Sequence, residues 1–383
     1  MEYVFEQKIK IITGWGCIRK LPDLLEEEGF HKPLIVCDQV VRQIGLLEQL
    51  EDLLKQRKIV PEVFDGVRPD PPAEVIDEGA KLCRRNACDS IIAVGGGSTI
   101  DTAKGINILR FNDGKMLDYA HGEAYQPTRG LICIPTTAGT GSELSYGMIV
   151  TDTENERKLP VHAYGEFAVI DPALTATMPV SLTVSTGLDV FSHAFEAYTS
   201  IAANPMADAV CEKIMTDVYR WLPVAKAEPN HREARQRMAT ASSLGGWMLS
   251  NGCAHVGHSL AHVLGAKYHM PHGTVCSYTL PVTMEVIAEA VPEKVKYAGE
   301  ILGVKFNGTE SGKQIGALTA EAYRRFRDDL FDGKEFVIPI TEKEIPDLAR
   351  EVVKEAFAGL TPVPVDNSLA EQMLMNISKQ TNA

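Results

Sequence analysis

The chain has 383 residues, of which 45% are hydrophobic and 23% are charged, the composition of an ordinary globular protein with room for two domains. Its formal net charge of −13 argues against nucleic acid and anionic membrane surfaces as partners, because both require basic patches. Eight cysteines without a Cys-x-x-Cys pair are typical of buried, reduced thiols. No signal segment or membrane-spanning apolar run is recognisable, so we expect a cytoplasmic protein.

The first half of the chain alternates short apolar runs with amphipathic stretches. Strands are predicted at 34–37, 59–64, 90–94 and 131–134, and helices at 41–56, 73–86 and 99–110. A β-ribbon of residues 3–6 and 8–12, closed by Gly14 and Gly16, is predicted to precede them. Because alternating strands and helices favour a parallel sheet, residues 1–180 are predicted to form an α/β domain.

Helical periodicity replaces the strand pattern after about residue 180, where Ser181 can cap a helix. Helices are predicted at 184–199, 204–225, 231–250, 252–267, 311–329 and 342–357. Residues 181–383 are therefore predicted to form an all-α C-terminal domain.

Two glycine-rich turns directly follow predicted strands. The first, GGGSTID at 95–101, has three glycines that let a phosphate approach the backbone, and Ser98 begins a helix whose free N–H groups favour anions. The second, PTTAGTGSE at 135–143, supplies the hydroxyls of Thr136, Thr137 and Thr140. The first turn alone is equally consistent with a tight βα turn. Together they favour a dinucleotide across the carboxyl edge of a parallel sheet.

Asp38 follows the predicted strand LIVC and has two possible roles. A carboxylate at this position binds a ribose 2′-hydroxyl and repels a 2′-phosphate, which would select NAD over NADP. The alternative is an N-cap for the following helix, and the sequence does not separate the two.

Histidines and an aspartate form a second group of polar residues within apolar surroundings. Asp189 and His193 are spaced i, i+4, as are His258 and His262, and His272 lies in a Pro-His-Gly turn. Residues four apart share one helix face, so two helices and a loop can offer Asp189, His193, His258 and His272 to one divalent ion. The alternatives are ordinary caps and hydrogen bonds. A shared metal would satisfy several buried polar groups at once.

These motifs together resemble the iron-containing (group III) alcohol dehydrogenases, which are related in fold to glycerol dehydrogenase and dehydroquinate synthase. The resemblance runs nearly end to end. It includes the two glycine-rich turns, DPALTATMP at 171–179, TGLDVFSHAFEAYTS at 186–200, ANPMAD at 203–208 and HSLAHVLGAKYHMPHG at 258–273.

The resemblance implies roles for individual residues. The implied metal ligands are Asp189, His193, His258 and His272, holding Fe²⁺ or alternatively Zn²⁺, and His262 is implied as the nearby histidine associated with proton transfer. The residues implied around the cofactor are Asp38, Gly95, Gly96, Gly97, Ser98, Asp101, Thr136, Thr137, Thr140 and Met178. The implied fold is an α/β dinucleotide-binding domain followed by an all-α metal-binding domain, dehydroquinate synthase-like.

Three residues depart from the family pattern where substrate choice would be set. Gly147 stands where relatives often carry a more polar side chain, and Leu249 where they often carry an aromatic one. His255 is an additional histidine at i, i+3 and i+7 with His258 and His262, so it is predicted on their helix face, where it could anchor a polar or anionic substrate tail. The alternative is a core histidine bonded to an adjacent helix.

The function implied is NAD(H)-dependent interconversion of a short primary alcohol and its aldehyde by hydride transfer, in a homodimer or higher homo-oligomer. Three alternatives stay open. One is a zinc polyol dehydrogenase of the glycerol type, and another is a dehydroquinate synthase-like lyase, although no Lys/Arg cluster accompanies the metal motifs. The third is a non-catalytic module stabilised by metal.

Overall fold

The computed structural model describes residues 2–155, 157–334 and 336–381, which form two compact units. One unit spans Gln7–Thr177, and the other comprises residues 2–6 together with the residues from Met178 onward. Residues 2–6, which the sequence places in the first domain, thus lie in the second unit.

The unit of residues 7–177 combines strands and helices. Its strands are β1 Lys10–Thr13, β2 Pro33–Cys37, β3 Glu62–Phe64, β4 Ser90–Gly95, β5 Leu131–Pro135, β6 Gly147–Asp152, β7 Arg157–His162 and β8 Phe167–Ile170. Its α-helices are α1 Leu21–Glu28, α2 Gln39–Gln43, α3 Leu46–Lys55, α4 Ala73–Arg85, α5 Gly97–Phe111 and α6 Met116–Ala120.

Six of these strands form a parallel sheet in the order β1-β8-β5-β4-β2-β3. The chain leaves β2 toward β3 on one side and leaves β4 toward β5 on the other, so the strand order reverses between β2 and β4. Cys37 pairs with Val94 in that register, which brings Asp38 and Gly95 to the same edge. A topological switch point of this kind is where open parallel sheets bind ligands.

The central strands are buried on both faces, which explains their unbroken apolar sequences. On one face Ile35, Ile92 and Ile132 pack with side chains of α1 and α3. On the other, Leu34 and Ile91 join a second cluster with side chains of α4 and α5. This two-layered burial confirms the predicted α/β class.

Three details of the first unit differ from expectation. The predicted ribbon of 3–6 and 8–12 is wrong, because β1 pairs in parallel with β8 and residues 2–9 form no strand. The predicted helix 41–56 is interrupted at Gly45, whose φ of 75° ends α2 and starts α3. An antiparallel hairpin of β6 and β7 was not predicted; its strands pair with each other, and Thr151 of β6 also forms an isolated bridge with Pro72.

The regular secondary structure of the second unit is helical in all of its described residues, with no strand among them, which confirms the predicted all-α class. Its α-helices are α7 Val180–Thr199, α8 Pro205–Ala227, α9 Arg232–Asn251, α10 Val256–Tyr268, α11 His272–Ile287, α12 Pro292–Ile301, α13 Gly312–Leu330, α14 Ile345–Lys354 and α15 Asn367–Thr381. Among the residues that the structure describes, none of these helices is long and apolar enough to cross a membrane.

Two helix boundaries bear on the site. The helix predicted from residue 252 begins only at Val256, so His255 precedes α10 and does not share its face with His258 and His262. His272, predicted in a loop, is the first residue of α11.

Residues 2–6 reach this unit through Trp247 and Asn251 of α9, which bind the backbone of Glu6.

Candidate metal centre and nucleotide-binding turns

Helix α7 provides two of the predicted metal ligands from a buried position. Asp189 and His193 lie one turn apart on it, and their side chains are 3% and 4% exposed. The two polar side chains on α7 are therefore shielded from bulk water. A buried carboxylate of this kind requires partners.

Helices α10 and α11 bring the other two histidines to the same point. His258 lies in the first turn of α10, and His272 begins α11. The neighbouring Gly273 is required there, because a Cβ at that position would lie 2.2 Å from the carbonyl oxygen of Ser185. The absence of a side chain therefore lets the start of α11 pack directly on the backbone of α7.

The three histidine side chains converge on one carboxylate oxygen of Asp189. Asp189 Oδ1 lies 3.6 Å from His193 Nε2, 3.7 Å from His258 Nε2 and 3.6 Å from His272 Nε2. It has no hydrogen-bond partner in the described part of the chain. Ligand atoms about 2.1 Å from one ion in tetrahedral geometry lie roughly 3.4 Å apart. The cluster therefore fits a divalent metal, and one carboxylate with three imidazoles suits iron or zinc.

The electrostatics of the cluster favour a cation. Burial alone would raise the pKa of Asp189, but the neighbouring histidines outweigh it and lower that pKa far below its usual range. Burial lowers the pKa of His193 to about 4 and that of His272 to about 3, so both imidazoles are neutral at neutral pH. Two free imidazole lone pairs and one ionised carboxylate are thus available as ligands.

Glu196 contacts the cluster, although it was not predicted from the sequence. Its Oε1 lies 2.7 Å from His258 Nδ1, and its Oε2 accepts hydrogen bonds from the backbone N–H groups of His255 at 2.8 Å and His258 at 3.1 Å. Glu196 lies seven residues after Asp189 on α7. The spacing i, i+4, i+7 within an apolar helix is the signal that could have found it.

His262 lies beside the cluster and has a carboxylate partner of its own. Its Nδ1 lies 2.7 Å from Oε1 of Glu355, and its ring lies against those of His272 and Phe357, with centroid distances of 5.4 and 5.7 Å. Glu355 also accepts hydrogen bonds from Ser259 Oγ and from the backbone of Phe357. Glu355 is distant in sequence from α10, and no local spacing connects it with His262.

A thiol adjoins the cluster on α11. Cys276 Sγ lies 3.5 Å from His272 Nε2 and 3.9 Å from His258 Nε2. Burial raises the pKa of this thiol to about 12, which keeps it protonated. The ligand atoms of the four residues above lie within 4.8 Å of one another, and we assign the donor set to them.

The three predicted substrate residues are found in different settings. His255 is fully buried, and its Nε2 lies 2.9 Å from Thr199 Oγ1, which supports the alternative of a core histidine bonded to a neighbouring helix. Leu249 is partly exposed on α9. Gly147 is exposed in the other unit, where a Cβ would find only the Val161 carbonyl oxygen, at 4.0 Å.

The two glycine-rich turns meet at the carboxyl edge of the parallel sheet. The backbone N–H of Thr136 donates to the carbonyl of Gly95 over 3.0 Å. A Cβ at Gly96 would lie 3.3 Å from Thr137 Oγ1, and one at Gly97 would lie 2.9 Å from Thr140 Oγ1. The turn after β5 thus packs against the start of α5, where Ser98 and the free N–H groups lie. This arrangement suits a phosphate group.

Asp101 and Asp38 both have protein partners. Asp101 accepts hydrogen bonds from Ser142 Oγ at 2.6 Å and from the backbone of Ile149 at 3.0 Å, so it supports the second turn from within. Asp38 Oδ1 caps α2 by accepting from the N–H of Val41 at 2.9 Å. Capping uses one carboxylate oxygen, and the other is compatible with binding a ribose. Met178 is buried at the start of the helical unit.

Comparisons with known proteins agree across the chain. A family model for iron-containing alcohol dehydrogenase matches residues 9–172, and one for the C-terminal part of the Fe-containing alcohol dehydrogenase family matches residues 183–377.

Individual relatives share nearly the whole length. Alcohol dehydrogenase 4 of Schizosaccharomyces pombe is 33% identical over 360 residues, which cover 92% of this chain and 83% of that protein. The NAD-dependent methanol dehydrogenase of Bacillus methanolicus is 30% identical over 364 residues, covering 92% and 93%. The crystal structure of sulfoacetaldehyde reductase from Bifidobacterium kashiwanohense in complex with NAD⁺ matches with a TM-score of 0.89 at 28% identity, covering 99% of each chain. The chain therefore belongs to the iron-containing alcohol dehydrogenase family and is an oxidoreductase.

Proposed function

We propose that this protein is an NAD(H)-dependent, metal-dependent dehydrogenase that interconverts a short primary alcohol and its aldehyde. The observation that carries the proposal is the buried Oδ1 of Asp189, which has no hydrogen-bond partner among the described residues and is surrounded by three histidine Nε2 atoms at 3.6 to 3.7 Å. Asp189, His193, His258 and His272 would hold the metal. Iron is the first candidate, from the family, and zinc is compatible with the same donors.

When bound, a divalent ion would supply Lewis acidity toward the substrate oxygen, and a nicotinamide would supply or accept hydride. The neutral imidazoles of His193 and His272 provide lone pairs, and the packing around α7 keeps Asp189 and His193 out of contact with bulk water. We propose that His262 moves the proton of the reaction. Glu355 holds His262 Nδ1, which leaves Nε2 as the atom that exchanges the proton.

For the cofactor, we propose NAD(H) rather than NADP(H). The support is Asp38, whose carboxylate follows β2 at the switch point of the sheet and would repel a 2′-phosphate. Gly95, Gly96, Gly97 and Ser98 would receive the pyrophosphate with Thr136, Thr137 and Thr140. The NAD-dependent methanol enzyme and the NAD⁺ complex of the sulfoacetaldehyde enzyme make this cofactor the first to test.

For the substrate, we propose a short aldehyde or alcohol, with a polar or anionic tail as a hypothesis. Both relatives just named act, by their names, on small molecules, and one of these carries a sulfonate. Gly147 adds no side chain to its surroundings and would leave room for such a tail. His255 is the weaker part of the hypothesis, because its ring is buried and bonded to Thr199.

The decisive experiment removes single ligands. His193→Ala and His272→Ala should lose bound metal and lower NADH-dependent reduction of propanal and of an anionic short aldehyde by at least about 100-fold. Circular dichroism and NADH binding, measured by fluorescence, should stay as in the wild type. The exposed His31→Ala serves as the control and should keep full activity. Unchanged turnover in either ligand variant would refute the metal-dependent function.

A further inference from the structure

Glu196 makes three contacts that the proposed chemistry does not itself require. It is 1% exposed, and its two carboxylate oxygens together accept from one ring nitrogen and two backbone N–H groups. We propose that Glu196 is a positioning residue that fixes the tautomer of His258, so that Nε2 presents its lone pair to the metal. This inference rests on the proposed metal-dependent function and goes beyond it, because it concerns a residue outside the donor set.

The tautomer follows from the donors and acceptors. An ionised carboxylate can only accept, so the 2.7 Å contact between Glu196 Oε1 and His258 Nδ1 requires the proton on Nδ1. Metal binding requires the neutral ring, which carries a single proton; with that proton on Nδ1, Nε2 is the atom free to bind the metal. That atom is the one that lies 3.7 Å from Asp189 Oδ1 within the ligand cluster. The same relation between carboxylate, histidine and metal is common in metalloproteins.

The position of the carboxylate is itself fixed by α10. The N–H groups of His255 and His258 at the start of that helix both donate to Glu196 Oε2, and the N–H of His258 also donates to the carbonyl of His255 at 3.1 Å. Gly257 makes the close approach possible, since a Cβ there would lie 2.5 Å from Glu196 Oε1. Glu196 therefore cannot turn away from His258 without taking the acceptor from the buried backbone N–H of His255.

An amide at position 196 would reverse the tautomer. The amide oxygen of Glu196→Gln is its only acceptor, and the two backbone N–H groups cannot become acceptors. The arrangement that satisfies every group places the amide oxygen on the backbone pair and the NH₂ group on Nδ1 of His258. Nδ1 must then accept, the ring proton moves to Nε2, and the lone pair needed by the metal is lost.

Two variants separate contact from charge. Glu196→Gln removes the charge and keeps the size of the side chain, whereas Gly257→Ala keeps the charge and displaces Oε1 from Nδ1. We expect both to weaken Zn²⁺ binding by about 10- to 100-fold in competition with a chromogenic chelator. Glu355→Gln is the matched control, because it removes the carboxylate from His262, which is not a ligand; its Zn²⁺ affinity should stay within about twofold.

A direct measurement uses metal-free protein. With ¹⁵N-labelled histidine at alkaline pH, the ring proton of His258 should lie on Nδ1 in the wild type and on Nε2 in Glu196→Gln. Nδ1 protonation in both proteins, or equal loss of Zn²⁺ affinity in Glu196→Gln and Glu355→Gln, would overturn the proposal. Failure of the wild type to bind Zn²⁺ would instead overturn the proposed function, and the ¹⁵N result would still decide the tautomer. Circular dichroism of each variant verifies that it is folded.

Discussion

At the scale of single residues, two histidines of α10 illustrate how burial separates roles. His258 and His262 each lie 2.7 Å from a carboxylate, but His258 is 3% exposed and His262 is 24% exposed. The ring of His262 is thus accessible for exchange of protons with water, as its proposed role requires, whereas the ring of His258 is not. One turn of helix would thus carry the two proposed functions, although the sequence spacing alone does not distinguish the two residues.

Asp38 caps a helix and is proposed to contact the ribose, and these two roles lead to the first residue-scale prediction. Asparagine caps helices as well as aspartate but has no charge. Asp38→Asn should therefore raise kcat/KM for NADPH by on the order of 10- to 100-fold without lowering Tm, because the repulsion of the 2′-phosphate disappears while the bond to Val41 stays. Steady-state kinetics with both cofactors test this. The exposed Asp52→Asn is the control, and an equal gain there would contradict a local effect.

Buried His255 provides a pH prediction. Burial lowers the pKa of His255 from 6.5 to about 4. Between these two pH values, His255 therefore binds a proton in the unfolded chain and stays neutral in the native state. The stability that depends on neutral His255 is complete above pH 6.5 and is lost as the pH falls toward 4. The free energy of unfolding should lose about 2 kcal/mol between pH 7 and 5 through this residue. Urea titrations of metal-free His255→Gln should lack that loss; a slope equal to that of the wild type would contradict the assignment.

At the scale of elements, the predictable parts are those that local pattern determines. Strands β2, β4 and β5 are buried on both faces, so an unbroken apolar run identified each of them. The hairpin of β6 and β7 was not predicted, because β7 carries Arg157 and Lys158 and so lacks an unbroken apolar run. The pairing of β6 with β7 also depends on the whole fold and not on a local pattern. The ribbon predicted near the N-terminus failed for the same reason, since β1 has its partner about 160 residues away in β8.

Helix α5 holds the second glycine-rich turn through a buried lysine, and this contact gives an element-scale prediction. Lys104 Nζ donates to Ser142 Oγ and the Ser145 carbonyl at 3.2 Å and to the Gly147 carbonyl at 2.6 Å. Lys104→Met should lower the free energy of unfolding by on the order of 3 kcal/mol, because it leaves buried acceptors unpaired. It should also raise KM for NADH by loosening the turn.

Urea unfolding and cofactor kinetics measure the two effects. The exposed Lys55→Met, which removes only surface ion pairs, is the matched control and should change stability by less than about 1 kcal/mol. Equal stability of the two variants would show that Lys104 does not support the turn.

At the scale of the whole molecule, the sequence predicted the division into an α/β half and a helical half because the hydrophobic period changes near residue 180. It also predicted the four residues of the metal cluster. It did not predict Glu196 and Glu355, because a carboxylate that holds a histidine of another element is defined only by tertiary packing. The proposed metal ligands have a recognisable spacing in the sequence. Of the two carboxylates that contact histidines of α10, Glu196 has a weak spacing signal in the sequence and Glu355 has none.

The two sites lie in separate units, so each ligand should leave its own trace in hydrogen exchange. A metal joins α7, α10 and α11, so Zn²⁺ should slow exchange around Asp189, His258 and His272. NADH should slow exchange at the start of α5 and in the turn after β5. At a free ligand concentration of 100 times Kd, binding stabilises the closed site by about 2.7 kcal/mol. Amides that exchange only when the site opens should then exchange about 100-fold more slowly. His193→Ala should abolish the Zn²⁺ effect and keep the NADH effect. Protection of the sheet turns by Zn²⁺ alone, with none in α7, would contradict the assignment of the metal to these four residues.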